Sequence, residues 1–210
     1  MAGVKGQVQR RGVVRREAIL RAATEVFASH GYRGGSLALV GERVGLTPAG
    51  VLRHFRSKEE LLLAVIADQG RRAGRITEEL ANLPPLDAIR GIVRYAEFTE
   101  SEAGIAALFT ILQAEHLEAA GEVRDFFLQR NRAIRQGFAA ALQQGQCEGR
   151  IRADVDRHRV ADEVIAFMEG AALVWLLDQD LSLVELYRHY LDRLADDLAA
   201  PEPERPFRGG

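Results

Sequence analysis

Apolar residues return every third or fourth position along most of this chain, and no stretch of useful length alternates with a period of two. That pattern predicts helices throughout. Ile19, Ala22, Ala23, Val26 and Phe27 form one apolar stripe and predict a first helix over 14–29, which Gly31 ends. Leu61, Leu62, Val65, Ile66 and Gln69 trace the inner face of a long helix over 58–80, stopped by Pro84-Pro85. Further helices are predicted over 86–100, 102–114, 121–144 and 156–177, and from Ser182 to 198, with a turn region over 145–155.

Between the first and the long helix lies the most informative stretch, Ser36 to Lys58. Ser36 can cap a short helix that puts Leu37, Val40 and Val44 on one face. Gly45 supplies a turn that needs a positive φ. Thr47-Pro48 restarts a helix, with Thr at the N-cap and Pro in the first turn. Val51, Leu52 and Phe55 are expected on its buried side. Ser57-x-x-Glu60 is a capping box that opens the long helix. Two short helices across a glycine turn make a helix-turn-helix. In that motif the second helix enters the DNA major groove with its N-terminal residues at the base edges. Those residues here are Thr47, Pro48, Ala49 and Gly50.

Charge sharpens this picture. Residues 1–58 hold eleven Lys/Arg against three acids, whereas 17 of the 28 Lys/Arg and 27 of the 30 Asp/Glu lie beyond Lys58. The net charge of −2 conceals a basic N-terminal segment and an acidic remainder. A basic segment around a helix-turn-helix is the electrostatic footprint of nucleic-acid binding. Arg10, Arg11, Arg15 and Arg16 are spaced to follow a phosphate backbone or reach a minor groove, or else form a solvated basic tail. Arg53 offers either bidentate bonds to guanine O6 and N7 or a phosphate contact.

The segments ILRAATEVFASHGY and SLALVGERVGLTPAGVLRHFRSKEELL, spanning about Arg15 to Val65, resemble the DNA-binding domain of TetR-family transcriptional regulators. The first helix, the helix-turn-helix and the HF-x-SKEEL junction occur in family order and spacing. The resemblance implies an all-α protein, with an N-terminal three-helix helix-turn-helix domain and a C-terminal helical ligand-binding and dimerisation domain. It also implies a phosphate contact by His54, which could otherwise be a packed core histidine. The family usually carries Tyr where this chain has Leu52, so backbone grip is expected from Ser36, Thr47, His54 and Lys58.

The resemblance further implies an apolar ligand cavity among the later helices. Phe98, Phe109, Phe127, Met168 and Trp175 are the candidates for its lining, or else plain core, and Gln113, His116 and Glu169 for its polar groups, or else structural. The last two helices carry more apolar surface than one core requires. Two such helices from each of two chains make a four-helix bundle, which is also how the family dimerises. Val164, Met168, Ala172, Tyr187, Leu191 and Leu194 are expected at that interface.

The expected organisation is a flexible basic arm over 1–12, the DNA-binding domain over 13–58, the ligand and dimer domain over 59–200, and a disordered tail over 201–210. The five histidines show no zinc spacing, and no glycine-rich phosphate loop or nucleophile elbow occurs. No cofactor, no metal and no enzymatic activity are expected. The N-terminus has no apolar signal core, no apolar run reaches the ~20 residues of a membrane span, and the lone Cys147 fits a reducing cytoplasm. The partners expected are operator DNA, a small, largely apolar effector and a second copy of the chain, with no membrane. Two rival readings are an architectural DNA binder with no effector and a helical carrier or enzyme with a vestigial helix-turn-helix.

Overall fold

The computed structural model describes residues 2–117 and 121–201, with side chains from Gly12 onward. Ten helices form among the described residues: α1 (Ala2–Gly34), α2 (Leu37–Val44), α3 (Pro48–Leu52), α4 (Lys58–Leu80), α5 (Pro85–Gly91), α6 (Val93–Ser101), α7 (Ala103–Glu115), α8 (Glu122–Cys147), α9 (Arg157–Leu177) and α10 (Leu183–Leu198). The all-α class expected from the periodicity is the class observed.

The helices divide into two compact units, Met1–Arg75 with Ser101–Asp125, and Ile76–Glu100 with Phe126–Gly210. In the first unit the stripe of α1 closes on the helix-turn-helix. Ile19, Ala23, Val26, Phe27, Val40, Val51, Phe55, Leu61, Leu62, Val65 and Ile66 are all fully buried. Gln69 continues that inner face of α4 at 4% exposure. α7 packs on α1, and the approach is close: a Cβ on Gly104 would stand 2.8 Å from the Cβ of Ala28. Arg33 pairs with Glu115 at 3.2 Å, and Arg72 of α4 reaches Glu102, the N-cap of α7, at 2.5 Å.

This arrangement moves the boundary expected after residue 58. The first four turns of α4 bury Leu61, Leu62, Val65 and Ile66 completely, and α4 to Arg75 and α7 fall in the same compact unit as the helix-turn-helix. The arm expected over 1–12 is continuous with α1, which begins at Ala2 and runs on to a kink at Gly31 (φ 67°). No proline interrupts the arm, so nothing forbids the helix from extending into it. The tail expected to be disordered lies, from residue 202 on, outside the described residues.

In the second unit α10 packs on α5 and α9. Val160, Ala161, Val164, Ala171 and Trp175 of α9 face Leu183, Tyr187, Leu191, Ala195 and Leu198 of α10 in its core. The first turn of α10 is capped twice. Ser182 accepts from Glu185 N at 3.2 Å, and the Glu100 carboxylate accepts from Leu183 N at 2.8 Å. One helix was expected over 86–100; it breaks at Ile92 into α5 and α6, where Gly91 lies so close to Leu80 that a Cβ would stand 2.4 Å from its Cδ2. The end of α10 is tied down by an isolated antiparallel bridge between Ile151 and Ala199.

Candidate nucleic-acid interface

The helix-turn-helix forms from local chemistry. Ser36 adopts an extended backbone (φ −133°) and its Oγ accepts from Leu39 N at 3.2 Å, capping α2. Gly45 ends α2 in the left-handed region (φ 65°). Leu46 N then donates to Gly41 O at 2.8 Å. This folds the turn onto α2 so tightly that a Cβ on Gly41 would stand 2.4 Å from Leu46 O. Thr47 caps α3, its Oγ1 accepting from Gly50 N at 3.1 Å, with Pro48 in the first turn. The Ser57 box also forms: Glu60 N donates to Ser57 Oγ at 2.9 Å, and the Glu60 carboxylate takes Arg56 N at 2.7 Å, one residue earlier than the ideal box.

α3 thereby presents an outward face of Thr47, Pro48, Ala49, Leu52 and Arg53, all exposed. Gly50 is half-buried against Leu46. Val51 and Phe55 point into the core with no exposure, but Leu52, expected beside them, is 41% exposed. The reason is length. α3 has five residues, and its inner side is filled by Val51 and by Phe55 from the following turn.

Basic side chains around this face are held in place by the fold. Arg15 Nη1 donates to Val44 O at 3.1 Å, satisfying a carbonyl at the end of α2 where a cation also suits the helix dipole. The Arg16 guanidinium stacks 4.4 Å over the Phe55 ring. Arg43 pairs with Glu25 at 2.9 Å, tying α2 to α1. Lys58 Nζ lies 4.4 Å over the Tyr32 ring and donates to Arg33 O at 3.4 Å. Burial, and after it the charge of Glu59, pushes the Tyr32 hydroxyl pKa up, so this tyrosine stays neutral beneath the lysine.

The structure therefore brings Thr47, Pro48, Ala49, Gly50, Arg53, His54 and Lys58 to one end of the first unit. The hydroxyls of Ser36 and Thr47 are engaged as caps, and His54 is half-buried. The side chains of Arg10 and Arg11 lie outside the described residues. Arg16, expected with Arg15 in the basic run, lies beside this face, and Arg43 and the exposed Arg56 join the basic surroundings without having been singled out. The stacking of Arg16 on Phe55 has no sequence signal, because the two are remote in the chain.

The residues proposed for a ligand fall on both units. Phe109, Gln113 and His116 belong to the first, where His116 Nδ1 lies 2.8 Å from Leu112 O. Phe98, Phe127, Met168, Glu169 and Trp175 belong to the second. There Glu169 pairs with Arg130 at 3.0 Å, and the Tyr187 hydroxyl donates to Met168 O at 3.4 Å. Burial raises the Tyr187 pKa strongly, Glu169 adds to the rise, and Arg130 opposes it. Arg130 was missed because its partner lies 39 residues away.

The residues expected at a dimer interface divide by their burial within one protomer. Val164, Tyr187 and Leu191 are 1–2% exposed within a single protomer, where they are spent on the α9–α10 core. Met168, Ala172 and Leu194 are half-buried. The apolar side chains left in solvent are Leu173 (46%), Val174 (48%) and Leu177 (80%) on α9 and Leu186 (38%) on α10. α9 is apolar nearly all round, so periodicity alone could not say which stripe faces inward.

A capped helix-turn-helix seated on a longer N-terminal helix, followed by a second all-helical unit, defines a helix-turn-helix DNA-binding regulator. Residues 19–65 match the family described as "Bacterial regulatory proteins, tetR family", and residues 89–191 match "Tetracyclin repressor-like, C-terminal domain". The chain belongs to the TetR family of transcriptional regulators. It is 27% identical over 142 residues to the HTH-type transcriptional repressor AcnR of Corynebacterium diphtheriae, covering 68% of this chain and 70% of that one. Its fold matches a TetR transcriptional regulator from Chloroflexus aurantiacus with a TM-score of 0.78 at 23% identity, over 91% of this chain and 100% of the other. It also matches the regulator FadR of Bacillus subtilis, solved in complex with stearoyl-CoA, with a TM-score of 0.74 at 18% identity, over 87% and 98%. No helix among the described residues is long and apolar enough to cross a membrane, and none of their His, Cys, Asp and Glu side chains gather in groups of three or more that could hold a metal ion.

Proposed function

We propose that this protein is a ligand-responsive repressor that binds a pseudo-palindromic operator as a homodimer in the cytoplasm. The observation that carries this reading is the outward face of α3, from Thr47 to Arg53, backed by a fully buried core and ringed by exposed arginines. Arg53 serves base recognition at guanine or grips a phosphate; Lys58 and His54 contact phosphates. The exposed apolar strip Leu173, Val174, Leu177 and Leu186 supports a four-helix dimer bundle made by α9 and α10 of two protomers. The name of AcnR, a repressor, supports repression over activation.

Selection of bound sequences from a random duplex library, followed by footprinting, tests the core of the proposal. Two half-sites should appear, separated by about 34–36 Å or a multiple of it. A single asymmetric half-site held by a monomer would overturn it. The effector is proposed as small and largely apolar, binding in the acidic helical part of the chain and lowering operator affinity. By linkage, operator DNA then weakens effector binding by the same factor, typically about 5–150-fold. Calorimetry of a candidate effector with and without operator measures this. A compound that binds equally well in both cases is not the effector.

A further inference from the structure

The outward face of α3 is unusual in what it lacks. On a helical wheel of about 100° per residue, Leu52 falls between Pro48 and Ala49, about 40° from the first and about 60° from the second. It therefore stands at the centre of the exposed face, with Arg53 at its edge. Pro48 has no backbone N–H, and the side chains of Pro48, Ala49 and Leu52 carry no hydrogen-bonding group. The side chains in the middle of the face thus have nothing with which to read a donor or an acceptor. The Thr47 hydroxyl at its start accepts from Gly50 N, and its own O–H, at the edge of the face, is left to donate.

Single exposed leucines are common on protein surfaces. This one is 41% exposed on a helix whose inner side Val51 and Phe55 already fill completely, so the fold does not require an apolar residue there. The major groove offers one apolar feature to such a surface. Each base pair shows donors and acceptors, and only thymine adds a C5-methyl group.

From this we infer that Leu52 is a specificity-determining residue that packs on a thymine methyl in each operator half-site. Pro48 and Ala49 are small enough to let it approach. The inference rests on the proposed entry of α3 into the major groove and names what its central strip reads there. The strip distinguishes thymine by its methyl group, not by its hydrogen-bonding edge. Uracil at the contacted position is then a poor substitute, and 5-methylcytosine is a better one than cytosine. Arg53, one residue on, supplies a charged contact beside the apolar one.

The test uses the full chain and the duplex it selects from a random library. Each thymine in turn is replaced by deoxyuridine, in one half-site and in both, and affinity is measured for the wild type and for Leu52→Ala. One position per half-site should respond. Loss of one buried methyl group is worth about fourfold in wild-type affinity per half-site, or about 15-fold with both replaced, from ~0.8 kcal/mol per group. Leu52→Ala should bind the thymine duplex more weakly and show no further loss with uracil. Because Leu52 is exposed, the variant keeps the fold, and circular dichroism confirms this. Three results overturn the inference while leaving operator binding intact: uracil tolerated at every position, a uracil penalty unchanged in Leu52→Ala, or a Leu52→Ala loss equal on all sequences. A wild-type chain that enriches no sequence overturns the operator reading, and the role of Leu52 with it.

Discussion

Three glycines in the first unit should respond to the same substitution in three different ways. Gly41 is helical and buried. An added Cβ would meet Leu46 O at 2.4 Å, Leu46 C at 3.3 Å and Thr47 C at 3.4 Å. All three are backbone atoms, so no side chain can swing away. An ordinary C···O approach is about 3.3–3.6 Å, so Gly41→Ala must displace the turn by about 1 Å. Overpacking of that kind costs about 1–3 kcal/mol. Disturbing the Leu46 N–Gly41 O hydrogen bond adds about 0.5–1.5 kcal/mol. Alanine returns up to ~1 kcal/mol of helix propensity. The expected net loss is about 0.5–3.5 kcal/mol. Gly45 has open space around it but a φ of 65°, so Gly45→Ala should lose about 1–2 kcal/mol through backbone strain alone. Gly70, inside α4 with nothing within 4 Å, should gain up to ~1 kcal/mol as alanine. Thermal unfolding reads these differences at about 2–4 °C per kcal/mol for a chain of this size. Operator affinity should fall most for Gly41→Ala, since the displaced turn is the one that aims α3. A Gly41→Ala protein as stable as wild type, with unchanged operator affinity, would refute the claim that the turn is packed this tightly.

Three further expectations follow from the same contacts. Lys58→Ala and His54→Ala should weaken binding to all sequences, and loss of the Lys58 charge should reduce the salt slope by about one, measured by titration across salt concentrations. Val174→Asp should leave a folded monomer, since the side chain is 48% exposed, whereas Leu191→Asp should unfold the second unit by burying an unpaired charge; sedimentation with circular dichroism separates the two. Glu100→Gln should lower stability by about 1 kcal/mol, because the carboxylate that takes Leu183 N at 2.8 Å becomes a neutral acceptor at a helix N-terminus; denaturant titration measures it.

The helix-turn-helix was legible because its determinants are local. Ser36, Gly45, Thr47-Pro48 and Ser57-x-x-Glu60 each act within four residues, and each does what its chemistry suggests. Leu52 was misplaced because a five-residue helix is too short for periodicity to fix its faces. α9 was misread for the opposite reason: it is apolar on nearly every side, and only packing shows that Val164 is inside and Val174 outside. The seat of α7 on α1 depends on Gly104 meeting Ala28, 76 positions earlier, and no short-range pattern reports such a pairing. The charge boundary near Lys58 separates the basic segment from the acidic remainder. The packing boundary near Arg75 marks where the core ends, and the two need not coincide.

The return of α7 to α1 also sets an order of events during synthesis. A chain leaving the ribosome at about 5–20 residues per second exposes α1 through Arg75 some 2–8 s before Glu115 follows, about 40 residues later. In that interval the groove of α1 around Ala28 has no occupant of its own, and the nascent recognition helix rests on an incomplete support. A gene fragment ending anywhere before Ser101 fixes that state permanently. The piece of this protein that folds as its DNA-reading half is therefore not a contiguous N-terminal fragment, and grafting it onto another scaffold requires carrying α7 along.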